Sequence, residues 1–171
     1  MLIEIKQLEG MAVGALDEGA LVGKVLRTVV DPRQIRLIGF TVRTGTFWPK
    51  VLAVSFSDVV DVDKNGAVIN SKESLVEKNE IVRLGELIKI KFSLVGLPVY
   101  SRNRKRLGTV TDAVAETLNG DILRIYVQSL FEKRVFARSQ IEKMTLTEVV
   151  IRDLAQTSVA TKQAEEIVEP A

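Results

Sequence analysis

Gly96-Leu97-Pro98-Val99-Tyr100, followed after a basic turn by Arg106-Leu107-Gly108-Thr109-Val110, decides how this chain is read. It describes a short strand, a turn, and a longer strand opened by a glycine. The same pattern stands about 85 residues earlier, as Gly10-Met11-Ala12-Val13 and Val22-Gly23-Lys24-Val25. Further blocks keep the order. Leu37 to Val42 matches Ile122 to Val127, Val54 to Val59 matches Phe136 to Ile141, and Gly66 to Ile69 matches Glu148 to Ile151. Blocks repeated in one order at a nearly constant offset are the mark of an internal duplication.

Working outward, β-branched residues bounded by turn formers predict strands throughout. Gly23 to Val30 ends at Asp31-Pro32. In Ile35 to Thr44, Ile38, Phe40 and Val42 share one face, the period of a half-buried strand. Thr44-Gly45-Thr46 is read as a hairpin turn and Phe47 to Val54 as the returning strand. Lys64-Asn65-Gly66 is read as a tight turn using the positive φ that Asn-Gly accepts. A helix is expected near Glu80 to Leu87. Ile88 to Phe92 is expected to mirror Leu2 to Lys6. The division is residues 1–70, a connector at 71–86, residues 87–153, and a flexible or helical tail at 154–171, which is rich in Ala, Gln and Glu. Five or six short strands per unit suit a sheet that closes on itself, because closure removes exposed edges.

Composition narrows the chemistry. The 171 residues contain no cysteine and no histidine, which removes disulfides, thiol chemistry and the commonest general base and metal ligand. Mean hydropathy is +0.15, enough apolar material for a core, and no apolar run reaches membrane-spanning length. Met1 to Lys6 carries alternate charges at Glu4 and Lys6, unlike a signal peptide, so a cytoplasmic location is expected. Net charge is −1 over residues 1–86, +5 over 87–153 and −2 over 154–171. An acidic partner would therefore prefer the second unit.

At these glycine and valine blocks the chain resembles the PRC-barrel family. That family includes the cytoplasmic part of the photosynthetic reaction-centre H subunit and the C-terminal domain of the ribosome maturation factor RimM. The resemblance covers about residues 2–153. It implies an all-β fold of two tandem PRC-like barrels that dock on protein partners, with no catalytic residues to carry over. Ala12 stands where the family often has proline. Arg138-Ser139-Gln140-Ile141 replaces the aromatic–acidic turn that Phe56-Ser57-Asp58-Val59 keeps. The absence of a RimM-like preceding domain argues against a direct ribosome-maturation role.

The partner-binding candidates are Arg102, Arg104, Lys105 and Arg106, four cations in five residues, and Phe47 with Trp48, the sole tryptophan. The two stretches are expected to share one face if the units bring them together. The competing reading is a solvated basic hairpin and a tryptophan packed on its own barrel. The loop equivalent to the basic cluster, Ala15 to Gly19, is acidic through Asp17 and Glu18, so opposite charges could steer one copy of the chain onto another. Asp61-Val62-Asp63-Lys64-Asn65-Gly66 matches half a calcium loop, but Lys72 takes the place of the bidentate glutamate, and hairpin-turn chemistry reads better. Asp17-Glu18 and Asp58/Asp61 are paired carboxylates without an evident apolar pocket, and Gly10-x-x-x-Gly14 lacks a phosphate-binding ending. The expected function is a non-enzymatic adaptor or assembly module that binds a protein. No cofactor or metal is expected. The alternative is RNA or ribonucleoprotein binding through the basic second unit. Weaker alternatives are a small-molecule site between the units and a homo-oligomer.

Overall fold

Short β-branched segments separated by Gly, Asn, Asp and Pro turns dominate the computed structural model, which describes residues 1–152. The first unit contains β1 (Leu2–Glu4), α1 (Ile5–Leu8), β2 (Ala12–Ala15), β3 (Ala20–Asp31), β4 (Arg36–Thr44), β5 (Lys50–Ser55), β6 (Val59–Val62) and β7 (Gly66–Ile69). After α2 (Val82–Lys89), the second contains β8 (Pro98–Ser101), β9 (Arg106–Glu116), β10 (Ile122–Gln128), β11 (Lys133–Ala137), β12 (Ile141–Met144) and β13 (Val149–Ile151). The sheet orders are β5-β4-β3-β2-β7-β6 and β11-β10-β9-β8-β13-β12, the same topology twice. In each, the two end strands are joined by a three-residue 3-10 turn, Phe56–Asp58 or Arg138–Gln140. A sheet with its ends so linked must curl on itself. Register shifts along β3–β4 and β9–β10 supply the extra twist. The tail expected at 154–171 lies outside the described residues.

The repeat holds residue by residue. Gly23 faces Val13 and Gly108 faces Val99. A Cβ on Gly23 would stand 2.5 Å from the Arg43 carbonyl oxygen, and one on Gly108 2.5 Å from the Gln128 carbonyl oxygen. Both glycines are required by the close approach of the neighbouring strand. The two 3-10 turns are capped differently. Ser55 Oγ accepts from the Ser57 N–H, whereas Gln140 Oε1 accepts from the Ala137 N–H. Replacing the aromatic–acidic turn thus changes the bonds and keeps the shape.

The units meet about a local two-fold axis. Arg36 and Asp121, equivalent positions 85 residues apart, face each other and pair at 2.8 Å. The Leu37 N–H donates to the Gly120 carbonyl at 2.8 Å, and the Ile122 N–H donates to the Ile35 carbonyl at 3.1 Å, each bond the image of the other. Such reciprocity defines an isologous interface. Ile35 and Gly120 both hold positive φ, 51° and 80°.

Four expectations are corrected. Ile88 to Phe92 does not form a strand mirroring Leu2 to Lys6; Ile88 and Lys89 end α2, whose Leu84 and Leu87 are buried three residues apart. The helix expected near 80–87 therefore runs on past the 86/87 boundary. The segments preceding the two units are exchanged across the axis: β1 pairs with β9, Ile3 against Ala115, while α2 packs on β3. Residues 1–70 thus lend their first strand to the other sheet. The strand expected from Phe47 starts only at Lys50, because Pro49 has no N–H for the ladder. The turn at Asn65-Gly66 uses no positive φ. Asp63 caps it by accepting from the N–H groups of Asn65 and Gly66 at 2.7 and 3.1 Å, and Gly66 is needed because a Cβ would stand 2.5 Å from the Ala12 carbonyl oxygen.

One continuous core joins the two units. Phe40, Leu37 and Ile69 in the first, and Phe136, Ile122 and Ile151 in the second, are fully enclosed. α2 adds a buried ion pair to the seam. Asp31, 2% exposed, accepts from Arg83 Nη2 at 2.7 Å and Nε at 3.0 Å. These bonds hold the Asp31 carboxyl below the usual carboxylate range against the opposing effect of burial.

Candidate interaction surface

The β4–β5 hairpin closes where Thr44 pairs with Lys50, leaving a five-residue loop. Gly45 takes φ 78° and turns the chain, so Phe47 and Trp48 project outward at 90% and 88% exposure. Trp48 does not pack on its own barrel. The equivalent β10–β11 hairpin, anchored by Gln128 against Lys133, projects Leu130 and Phe131 at 93% and 94% exposure. Ser129 builds that tip. Its N–H donates to the Glu132 carbonyl at 2.8 Å and its Oγ accepts from the Glu132 N–H at 3.1 Å. Each unit thus presents a large apolar pair on the same loop. Sequence reading found the first pair and missed the second. The missed signal was the repeat itself, since Val127-Gln128-Ser129-Leu130-Phe131 stands where Val42 to Trp48 stands in the first copy.

The basic hairpin between β8 and β9 lies beside the second tip. Thr109 pairs with Gln128, and Arg106, Gly108, Thr109, Leu130 and Phe131 line a groove of about 570 Å³. The four cations there are not equivalent. Arg104 holds the turn itself at φ 65°, grips both Glu148 oxygens at 2.9 and 3.0 Å, and lies 4.6 Å over the Tyr100 ring. The Arg104 hydrogen bonds lower the Glu148 carboxyl below its ordinary value and raise the guanidinium in turn. Arg102 reaches Glu142 at 3.5 Å. Lys105 and Arg106 have no carboxylate within ion-pairing distance among the described residues. Arg104 is a structural staple, and the two cations left for a partner are Lys105 and Arg106.

The structure does not bring Phe47 and Trp48 together with this cluster. Strands related by an antiparallel two-fold run away from the axis in opposite directions. β4 leads from Arg36 to the first tip and β10 from Ile122 to the second. Phe47-Trp48 therefore lies across the axis from Arg102–Arg106, on the side of the acidic β2–β3 hairpin. There the Glu18 carboxylate accepts from the Lys72 N–H at 3.0 and 3.1 Å, which pins the connector, and Asp17 is exposed.

Asp61 and Asp63 are absorbed by their hairpin. Asp61 accepts from the Val62 N–H at 2.9 Å, and Asp63 accepts from the Asn65 side chain at 3.0 Å besides the two backbone groups already named. At the seam between the units a pocket of about 190 Å³ is lined by Ile5, Lys6, Glu9, Arg27 and Ser93, among others. Glu9 there accepts from the Thr28 N–H and hydroxyl at 3.2 and 3.3 Å. The volume falls short of the ~300–1,000 Å³ of ordinary small-molecule sites. No described helix is long and apolar enough to cross a membrane.

The family model for the PRC-barrel domain matches residues 1–76 and 92–144. No curated protein matches the chain.

Proposed function

The chain belongs to the PRC-barrel domain family, and from that premise we propose that it is a non-enzymatic adaptor or assembly module that binds a protein partner through its hairpin tips. One observation carries this reading: equivalent loops in both units expose large apolar pairs, Phe47-Trp48 and Leu130-Phe131, each about nine-tenths open. Exposed apolar groups of this size on ordered hairpins have no role in the fold, and aromatic side chains are the usual anchors of interfaces. Charge acts beside them. Lys105 and Arg106 border one tip, and Asp17 and Glu18 stand at the equivalent hairpin near the other. Such charges favour encounter and orientation more than affinity. Protein binding is favoured over nucleic acid because two of the four clustered cations are already paired with Glu148 and Glu142.

The test is affinity capture on the immobilised chain beside a variant carrying Trp48→Ala and Phe131→Ser, with nuclease treatment and a salt series. A protein retained by the native chain, lost with the variant and insensitive to nuclease is the expected result. Retention of RNA that collapses between low and moderate salt would overturn it in favour of nucleic-acid binding.

A further inference from the structure

We infer that the partner the two tips are built for is a second copy of this chain, the first tip of one copy seating in the groove at the second tip of the next. The inference rests on the reading of the tips as protein-binding surfaces. The tips share one frame and differ in what they carry. Leu21 and Arg106 are equivalent, each two residues before the strand glycine and paired across the hairpin with Gly14 or Tyr100. The first unit's hairpin therefore adds two exposed leucines, Leu16 and Leu21, and the acids Asp17 and Glu18 to Phe47 and Trp48. The second unit's hairpin carries Arg102, Arg104, Lys105 and Arg106 instead. Arg106 lines the groove of about 570 Å³ together with Thr109, Leu130 and Phe131. One tip is apolar and acidic, the other grooved, apolar and basic.

Charge selects the pairing. First tip against first tip sets Asp17 and Glu18 against their own copies, and second against second does the same with Lys105 and Arg106. Only the mixed contact opposes unlike charges. Size sets its strength. The groove falls within the ~300–1,000 Å³ that receives a small molecule, which leaves room for the Phe47 or Trp48 side chain. Phe47, Trp48 and Phe131 bury about 150–250 Å² each when covered, so the three remove roughly 450–750 Å² from water. The exposed leucines bring this close to the ~1,200 Å² at which stable interfaces begin, so the association is weak and depends on concentration. Position sets its form. The tips lie across the local two-fold axis, so a copy bound through one tip keeps the other free. The contact is heterologous, and copies add head to tail.

Sedimentation velocity on the pure full chain, from micromolar to millimolar concentration, reads the assembly. The average mass should rise with concentration beyond that of a dimer, and added salt should lower it. Trp48→Ser blocks the first tip and Phe131→Ser the second. Each variant alone should stay monomeric, and an equal mixture of the two should form a dimer and stop there. A contact between like tips would instead leave one variant dimeric on its own. Arg106→Glu in the Trp48→Ser chain should prevent the mixed dimer, and Asp17→Lys in the Phe131→Ser chain should restore it. Melting temperatures equal to that of the native chain establish that each variant is folded. A native chain monomeric throughout, a single variant that self-associates, or a mixture that stays monomeric would overturn the inference. If the native chain is monomeric but its capture of another protein still needs Trp48, this inference falls alone. If Trp48 is dispensable for capture as well, the partner reading falls with it.

Discussion

The first and second units follow one trace but differ in how they seal the flank of the long strand and in what surrounds their tips. The second unit completes β9 with a borrowed strand, β1, bonded through backbone groups. The first covers β3 with a helix and the Asp31–Arg83 pair. Backbone ladders tolerate many sequences, whereas an ion pair depends on two particular side chains. The same turn at the axis is likewise built from Ile35 in one copy and Gly120 in the other. A Cβ on Gly120 would run into the Leu37 carbonyl, while the Ile35 side chain finds room and is 92% removed from solvent. Duplication fixed the trace, and each copy then filled the same positions with different chemistry.

The sharpest break of this equivalence is expected at the paired glycines. Gly108→Ala adds a Cβ 2.5 Å from a carbonyl oxygen and must also hold φ 144°, a combination that costs about 4 kcal/mol. Gly23→Ala meets the same obstruction without the positive φ and should cost about 2 kcal/mol. Denaturant unfolding of the two variants measures the difference. Equal losses would mean that the Gly108 backbone relaxes and that the two sites are interchangeable.

Next comes Arg83→Ala, which leaves Asp31 buried without its partner and should cost about 3 kcal/mol. The second unit has no counterpart, so hydrogen exchange should rise first in β3 and β4. The pH dependence has a definite sign. The folded Asp31 carboxyl titrates below its unfolded value. Its stabilising contribution is therefore complete above the unfolded value, near pH 4, and is lost as pH falls through the folded one. Native protein should lose stability on acidification below about pH 4 more steeply than Arg83→Ala does.

In the second unit, Arg104→Ala removes the clasp on Glu148 and the stacking on Tyr100. The expected outcome is a smaller drop in melting temperature than Arg83→Ala produces, shrinking with added salt because this pair lies open to water. Lys105→Ala, which makes no ion pair among the described residues, should leave the melting temperature unchanged. A large loss for Lys105→Ala would reverse the assignment of staple and free cation.

Most of the fold was legible because it was written twice. The Gly–x–x–Val blocks and the position of Gly23 and Gly108 carry the strand order, and both reappear in the structure, whereas the alternation read in Leu37 to Val42 does not hold: Leu37, Phe40, Thr41 and Val42 are all buried, so both faces of β4 are covered. The exchange of β1 and α2 was hidden, because strand pairing across 112 residues, Ile3 with Ala115, leaves no local pattern. The site was half legible. Trp48 stands out by its rarity, whereas Leu130 and Phe131 are ordinary residues whose exposure only the hairpin geometry reveals. The grouping of Trp48 with Arg102–Arg106 failed because sequence carries no sign of a two-fold axis between them.

The smallest expected effect on the fold falls on the tips themselves. Phe47, Trp48, Leu130 and Phe131 each keep about nine-tenths of their surface in water. Removing such a group takes little from the core, so Trp48→Ala and Phe131→Ala should each change stability by less than about 0.5 kcal/mol. Binding should respond quite differently. A desolvated aromatic anchor at the centre of an interface contributes about 2 kcal/mol, mostly through slower dissociation. Trp48→Ala should therefore raise the dissociation rate of the captured partner while leaving the unfolding midpoint in place. The two tips can then be ranked by comparing the single variants. If Trp48→Ala instead lowers the midpoint by several degrees with binding intact, the tryptophan serves the fold and the first tip is not an anchor.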